Sequence, residues 1–380
     1  MIIFFDKFMN KLKELDFIEL SWNRKWKEPG DFSLHLAAKD WDANVKYIKN
    51  VGRKEIGMVQ KIIMTKEVHG TFITASGFFC EKMTYWGVAP YDDNFSKNFE
   101  SGDEAFQWWR GRLRVWFKLN LNPNPYPQIG SIGIYGDIPH QIDYSVEKGT
   151  SAGTIMYNHL NGQHRSFYSN IRIEGVNEEP YITNNCVVYQ GRDLRNKVYF
   201  GTGWGNVSKI EYLLDESAEY PYFEIWQDIG DAQGFSGAET TWKNDGTTRN
   251  IIKETYVDEN NRPSGVGLVY PKKIIESSVS GIEIIATNES KIRAQMKEAA
   301  RLEMLNNYKI ETINVDVLQE TFKYLRDYDL GDICSVVIDE LEKTYSIRII
   351  EVKEIHRKNA VEIQLVFGTP TTQKYVAVNL

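Results

Sequence analysis

The run from Thr321 to Gly368 constrains this chain more than any other stretch. Val361, Ile363, Leu365 and Phe367 alternate with Glu362 and Gln364, the period-two pattern of a strand with one wet face. Ile333 to Ile338 is apolar or small on both faces, which predicts a strand covered on both sides. Between these two, the apolar phase runs Tyr345, Ile347, Ile349 and then slips to Ile350 and Val352. A one-residue slip turns every later side chain over, so a β-bulge that bends the strand is predicted at Ile349–Ile350. Bent antiparallel strands are what close a small barrel, and the C-terminal end is predicted to form one.

The segment Asp327-Tyr328-Asp329-Leu330-Gly331-Asp332-Ile333-Cys334-Ser335-Val336, with its later strand ending in Phe367-Gly368, resembles the closing barrel of phage tail hub proteins. These sit at the tip of a phage tail or contractile injection device, between the tube and the spike or fibre. Leu20 to Leu36, with Trp22, Arg24, Trp26, Pro29, Gly30 and Phe32, resembles the opening barrel of the same family. The middle of the chain carries no such match.

What the resemblance implies is a homotrimer whose chains each contribute two related barrels, six in all, forming a pseudo-sixfold ring. Such a ring is a symmetry adaptor between a sixfold tail tube or distal tail protein and a threefold spike or fibre protein. DNA or the end of a tape-measure protein would pass through its channel. On this reading Trp22, Trp26 and Phe32 fill the first barrel, Pro29-Gly30 sets its hairpin, and Gly331 serves the turn into a barrel strand. Arg24, Asp329, Leu330, Asp332 and Gly368 complete the matched motifs, and all of these roles are structural. The expected location is the virion tail tip or baseplate, assembled in the bacterial host cytoplasm. A joint under load is also expected to have its exposed strand edges paired or covered.

Length and charge narrow the classes. A chain of 380 residues holds about two or three domains at ~150 residues each. Apolar residues at 42% suffice for real cores, and 13% aromatics suit β-rich packing. The net charge of −7 argues against a general nucleic-acid-coating role, whose electrostatic term needs excess Lys and Arg, and no specific nucleic-acid binding is expected. Cys80, Cys186 and Cys334 are odd in number and far apart, giving neither a disulfide framework nor a metal pattern; they read as small core residues. Ile2 to Phe5 is stopped by Asp6, too short for a signal peptide or a membrane span. No membrane insertion and no cofactor are expected.

In chain order, Ile2 to Phe5 reads as a strand, and an amphipathic helix over Asp6 to Leu15 stays open because Phe5, Phe8, Leu12 and Leu15 fall at helical spacing. Alternation through Ile18, Leu20, Trp22 and then Phe32, Leu34, Leu36 predicts a hairpin about Pro29-Gly30. Strands follow at Gly57 to Thr65 and Thr71 to Phe79. Ser101-Gly102-Asp103-Glu104 is a capping box, opening a helix with Ala105, Phe106, Trp109 and Leu113 on one face. That helix is predicted to end in the Asn/Pro-rich run Asn120 to Pro127. From Tyr135 to about Tyr270 the pattern is all-β, with Asp258 to Pro263 an exposed loop. Asn288 is placed to cap a second helix through Leu305, with Ile292, Met296, Ala299, Leu302 and Leu305 inward. The fold class is therefore mainly β with a few helices, two small β-barrel domains flanking a β-rich middle region. The predicted boundaries are 1–100 for the first barrel, 101–134 for the helix and connector, 135–275 for the middle, and 276–380 for the second helix and barrel.

Other constellations carry competing readings. His159 and His164 flank Asn161-Gly162 with no Cys or carboxylate spaced to finish a zinc set, so they read as loop histidines and no metal is expected. Glu224-x-Trp226-x-Asp228 puts two carboxylates on one strand face beside a tryptophan, the residue types of a glycosidase acid and its second carboxylate; a solvated strand face is the plainer account. Gly201-x-Gly203-x-Gly205 lacks the strand–helix context of a dinucleotide fingerprint and reads as a loop. Trp204 and Trp242, with Trp226 and tyrosines 181, 189, 199, 220 and 222, form either a sugar-stacking surface or their own core. Of Trp108 and Trp109, adjacent on a helix beside Arg110, Arg112 and Arg114, one is a candidate interface anchor and otherwise a core residue. No catalytic set emerges, and the chain is read as a structural protein. A receptor- or carbohydrate-binding tail protein and a cell-wall glycosidase are the alternatives.

Overall fold

Strands dominate the computed structural model, as the alternating patterns require. It describes residues 1–102, 104–105, 108, 111–112, 128–136, 140–162, 164–174, 181–215, 222–257, 272–277, 279, 281–305, 310–358 and 360–368. The described chain forms two units: Met1–Glu211 joined by residues 313–368, and Tyr212–Thr312.

The first unit opens with β1 (Ile2–Phe5), β2 (Lys11–Leu15), β3 (Glu19–Lys25), β4 (Asp31–Ala37), β5 (Tyr47–Asn50), β6 (Gly57–Glu67) and β7 (Gly70–Phe79). Their order across the sheet is β3-β4-β7-β6-β5-β1-β2. The helix left open over Asp6 to Leu15 is a hairpin instead. Asp6 accepts from the backbone N–H groups of Phe8 (2.8 Å) and Asn10 (2.9 Å), and Met9 takes a φ of 60°, so the chain turns back and β2 pairs with β1. The predicted hairpin about Pro29-Gly30 is present as β3 paired with β4. Inward side chains of these strands, among them Phe4, Trp22, Phe32, Leu34 and Phe79, make one buried cluster.

The C-terminal strands are β19 (Ile310–Val317), β20 (Ile333–Ile338), β21 (Lys343–Arg357) and β22 (Ala360–Gly368). They recruit β13 (Tyr199–Phe200) and β14 (Val207–Asp215) from the middle of the chain, in the order β13-β20-β21-β22-β19-β14. The two ends of that path are consecutive in sequence, joined by a turn in which Asn206 donates to Tyr199 O (2.7 Å) and accepts from Gly201 N (3.1 Å). Phe200, Tyr328 and Phe367 meet inside, with ring centroids 5.2 and 5.5 Å from Phe200. The predicted bulge is present: Ile349 pairs with Phe367 but Glu351 with Val366, leaving Ile350 extra. Residues 343–348 of β21 pair with β20 and residues 351–357 with β3. One bulged strand thus serves both strand groups and sets β3, near the start of the chain, beside β21. In β20 only Cys334, Val336 and Ile338 are buried, so this strand is half covered rather than covered on both faces.

The same unit holds β8 (Asp93–Asn98) paired with β10 (Gln141–Val146), and the sheet β11 (Arg165–Glu174), β12 (Tyr181–Gln190), β9 (Gln128–Gly136). The stretch read as all-β also contains a helix, α1 (Ala152–Gly162). Ser151 Oγ accepts from Thr154 N at 3.1 Å, an N-cap, and Ala152, Ile155, Met156 and Leu160 are buried. Gly153 obscured this helix by its low propensity, yet a Cβ there would come 2.5 Å from the Tyr85 ring. At the capping box, Ser101 Oγ accepts from Glu104 N at 3.3 Å and the Glu104 carboxylate accepts from Glu100 N at 3.3 Å. Phe106, Trp109, Arg110, Leu113, Arg114 and Asn120 to Pro127 lie outside the described residues, as does the loop Asp258 to Pro263.

The second unit is a four-stranded sheet in the order β16 (Glu239–Trp242), β17 (Thr248–Val257), β15 (Tyr222–Asp228), β18 (Lys272–Ser277). Helix α2 (Glu289–Leu305) packs on one face. Among its described side chains Ile292, Met296, Ala300 and Met304 are buried, with Ala299 only half-buried; the side chains of Leu302 and Leu305, also expected inward, lie outside those described. Asn288 donates to Glu283 O at 3.0 Å. The unit boundaries at 211/212 and 312/313 differ from those expected at 100/101, 134/135 and 275/276, because strand partners distant in sequence decide which segments cohere. The three cysteines are free and buried.

Candidate functional site

The two sequence motifs meet in space, 300 residues apart in the chain. Arg24, buried on β3, donates through Nε to Glu55 (2.6 Å) and through Nη1 to Asp329 (2.5 Å) and Tyr324 Oη (2.5 Å). Burial works against the guanidinium charge, but Glu55, then Tyr324 and Asp329, outweigh it and raise its pKa well above the ordinary value. Such a pair is held by its geometry: once desolvated, neither partner tolerates loss of the other. Glu81 lies in the same region and accepts from Ser169 N at 3.0 Å. Burial, with the neighbouring Glu55 charge, pushes its carboxyl up to about 8, so it is protonated at neutral pH.

Trp26 and Gly331 form the apolar half of the junction. Gly331 has a φ of +90°, and a Cβ on it would fall 1.9 Å from the Trp26 ring, so only glycine fits both the turn and the indole. Its N–H donates to Ile349 O at 2.9 Å, and Trp26 N donates to Ile350 O at 2.9 Å. The bulge thereby offers one carbonyl to each motif. Arg348 lies over the Trp26 ring at 5.0 Å and donates to Gly331 O. Asp332 receives Arg192 through its backbone N (2.8 Å) and Nη2 (2.6 Å), and accepts from Asp329 N at 2.8 Å. Leu330 N donates to Asp329 Oδ1 at 2.7 Å. A cleft of about 260 Å³ opens beside these groups, lined by Arg24, Lys54, Tyr168, Tyr189, Arg192 and Asp329.

Of the remaining motif residues, Trp22 and Phe32 sit in the core of the N-terminal sheet. Pro29 and Gly30 are buried beside it; a Gly30 Cβ would come 2.2 Å from Asn23 O. Gly368 ends β22. Trp26 packs on Tyr189 and Gly331 instead of entering the first core, because the chain has left β3 by that point. Sequence reasoning missed Glu55, Glu81 and Tyr324, and also Arg53, which grips the fully buried Glu354 together with His356. Nothing in their local spacing marks them. The only signal was a charged residue, Glu354, on the inward phase of a long strand.

The competing constellations resolve differently. Glu224 accepts from Trp226 Nε1 (2.7 Å) and Lys272 Nζ (3.0 Å). Burial alone would raise its carboxyl, but these partners outweigh it and hold it below the usual range, the opposite of what a general acid needs. Asp228 is engaged with Gly230 N at 2.9 Å. His159 lies on α1 rather than in a loop, whereas His164 lies in the turn before β11, with a φ of 59°, and faces Arg348 at 2.7 Å. Among the described residues no cluster of His, Cys, Asp and Glu is arranged to hold a metal ion, and no helix is long and apolar enough to cross a membrane. Trp108 stacks on Phe95 at 3.9 Å against the buried cluster around α1; it is packed inward, not an exposed anchor. Trp204 is 48% and Trp242 74% exposed, in different units. Tyr220 lies outside the described residues.

Comparison with known proteins agrees with the motifs. Residues 223–369 match the family model described as Siphovirus ReqiPepy6 Gp37-like protein. No curated protein matches the sequence. The 43 kDa tail protein of prophage MuSo2 from Shewanella oneidensis is similar in structure, with a TM-score of 0.55 and 12% identity over 98% of this chain and 99% of that one. The tail protein from Neisseria meningitidis MC58 is similar with a TM-score of 0.52 and 12% identity, over 96% and 95% of the two chains. The resemblance to phage tail proteins read from the two motifs therefore stands, in the sequence of residues 223–369 and in the mainly β fold of the chain.

Proposed function

We propose that this chain is the structural hub of a phage tail tip or a phage-tail-like injection device. It acts as a homotrimeric symmetry adaptor, joining a sixfold tail tube or distal tail ring to a threefold spike or fibre. The observation that carries the reading is the junction itself: the N-terminal and C-terminal strand groups share the single bulged strand β21, locked by Arg24, Asp329, Trp26 and Gly331. A chain built from two such groups gives six around a threefold axis, and a locked joint keeps them in fixed relation under load. Its partners are the tube or distal tail protein on one side and the spike or fibre on the other. Its role is assembly, not turnover, with no cofactor and no specific grip on DNA passing through the channel. Assembly takes place in the host cytoplasm and the finished protein resides in the virion tail tip.

Electron microscopy of the purified protein, alone and with its neighbouring tail proteins, tests this. Rings of three chains showing six similar lobes are expected; particles that never gather about a common axis, even with the partners present, overturn it. The exposed Trp204 and Trp242 favour a second reading, receptor or carbohydrate binding. Glycan binding lost on substitution of either tryptophan would establish that reading in its place.

A further inference from the structure

Among the described residues two strand edges have no neighbouring strand while carrying apolar side chains. β6 pairs with β5 only at Gly57 and Met58, so from Lys61 to Glu67 no described strand lies along its outer edge. Ile62 and Met64 stand opposite the buried Ala75 and Ile73 and carry the core face outward, while Ile63 lies on the other face. All three are exposed, Met64 to 70%. At the other end of the strand order β14 pairs with β19, and among the described residues no strand lies along its other side; Leu213 and Leu214 are exposed, Leu213 to 51%. Long apolar edges recruit further strands unless covered.

The two edges match each other when run antiparallel. Setting Ile63 opposite Leu213 places Ile62 against Leu214 and Met64 against Tyr212. The same register sets Lys61 opposite Asp215 and Glu67 opposite Lys209, giving opposite charges at both ends, the arrangement that stabilises cross-strand pairs. The faces agree as well. The core-side residues Ile62 and Met64 meet Leu214 and Tyr212, which share a strand face with the half-buried Ile210.

We propose that β6 of one copy pairs antiparallel, in this register, with β14 of the next copy of the same chain. Because the edges are unlike, each copy offers one and receives the other, a head-to-tail contact of the kind that closes into a ring. This rests on the trimeric reading above and names the surface through which the trimer closes.

Cysteine cross-linking of the full chain tests it. The native cysteines are buried, so Ile63→Cys with Leu213→Cys is expected to give, on oxidation, a disulfide-linked species of three chains that neither single variant forms. Mixing the two single variants is expected to give linked pairs. Lys61→Glu is expected to raise the concentration of half-dissociation about tenfold, and adding Asp215→Lys to restore it. A trimer by light scattering that shows no cross-link and ignores Lys61→Glu overturns this interface and leaves the trimeric reading standing. Cross-linked assemblies of another size keep the edge pairing and overturn the trimer. A chain that stays monomeric and unlinked at the highest attainable concentration overturns both.

Discussion

Arg24-x-Trp26 and Glu224-x-Trp226 are the same local pattern, a charged residue and an indole two apart on or beside a strand. In the first unit the charge is buried, its partners come from residues 31 and 305 positions away, and the indole lies against a glycine that admits nothing larger. In the second unit the charge is half-buried on the sheet face away from α2, held by its own neighbour Trp226 and by Lys272, with Lys253 over the indole at 5.2 Å. Solvent makes the difference. On the half-exposed face water reaches Lys272 and stands in for a lost partner, whereas at the junction Arg24 and Glu55 are both buried.

Substitutions sharpen the contrast. Arg24→Met leaves Glu55 and Asp329 without their cation and is expected to lower unfolding stability by about 3–5 kcal/mol, read from denaturant midpoints; a change under about 1 kcal/mol erases the distinction. Gly331→Ala meets both a positive φ and the Trp26 ring, and is expected to cost about 2–4 kcal/mol.

Glu81 gives a pH signature. Its carboxyl is raised from 4.5 to about 8 in the folded chain, so between those values the folded state holds a proton that the unfolded state releases. Its contribution to stability is therefore lost as pH rises through that window, and levels off above about 8. Glu81→Gln, which keeps an acceptor for Ser169 N, is expected to flatten this slope and raise the Tm at pH 8 by a few degrees, measured by thermal melts at pH 5 and pH 8. An unchanged slope would place the ionisation elsewhere. The smallest effect belongs to the half-exposed face: Glu224→Gln is expected to change stability by less than about 0.5 kcal/mol, and a larger loss would show the face to be buried in an assembly.

Where pattern is local, the sequence was legible. The alternation of Val361 to Phe367, the hairpin at Pro29-Gly30, the capping box at Ser101 and the slip at Ile349–Ile350 all appear as expected. Helix α1 escaped because Gly153, which lowers helix propensity, is there for contact with Tyr85. The hairpin of β1 and β2 was ambiguous because Phe5, Phe8, Leu12 and Leu15 satisfy a helical period, and the Asp6 turn decided between the two.

By itself the sequence determined most of the strands, apart from the β1–β2 hairpin and the stretch that holds α1, and where one strand must bend, since period and turn chemistry act over a few residues. Only the tertiary structure decided that Arg24 meets Asp329, that β13 and β14 leave the middle of the chain to complete the C-terminal sheet, and that burial pushes the Glu81 carboxyl up while the partners of Glu224 hold its carboxyl down. Those outcomes depend on which distant side chains share a desolvated space, and neither charge nor burial at such a distance is written in local spacing.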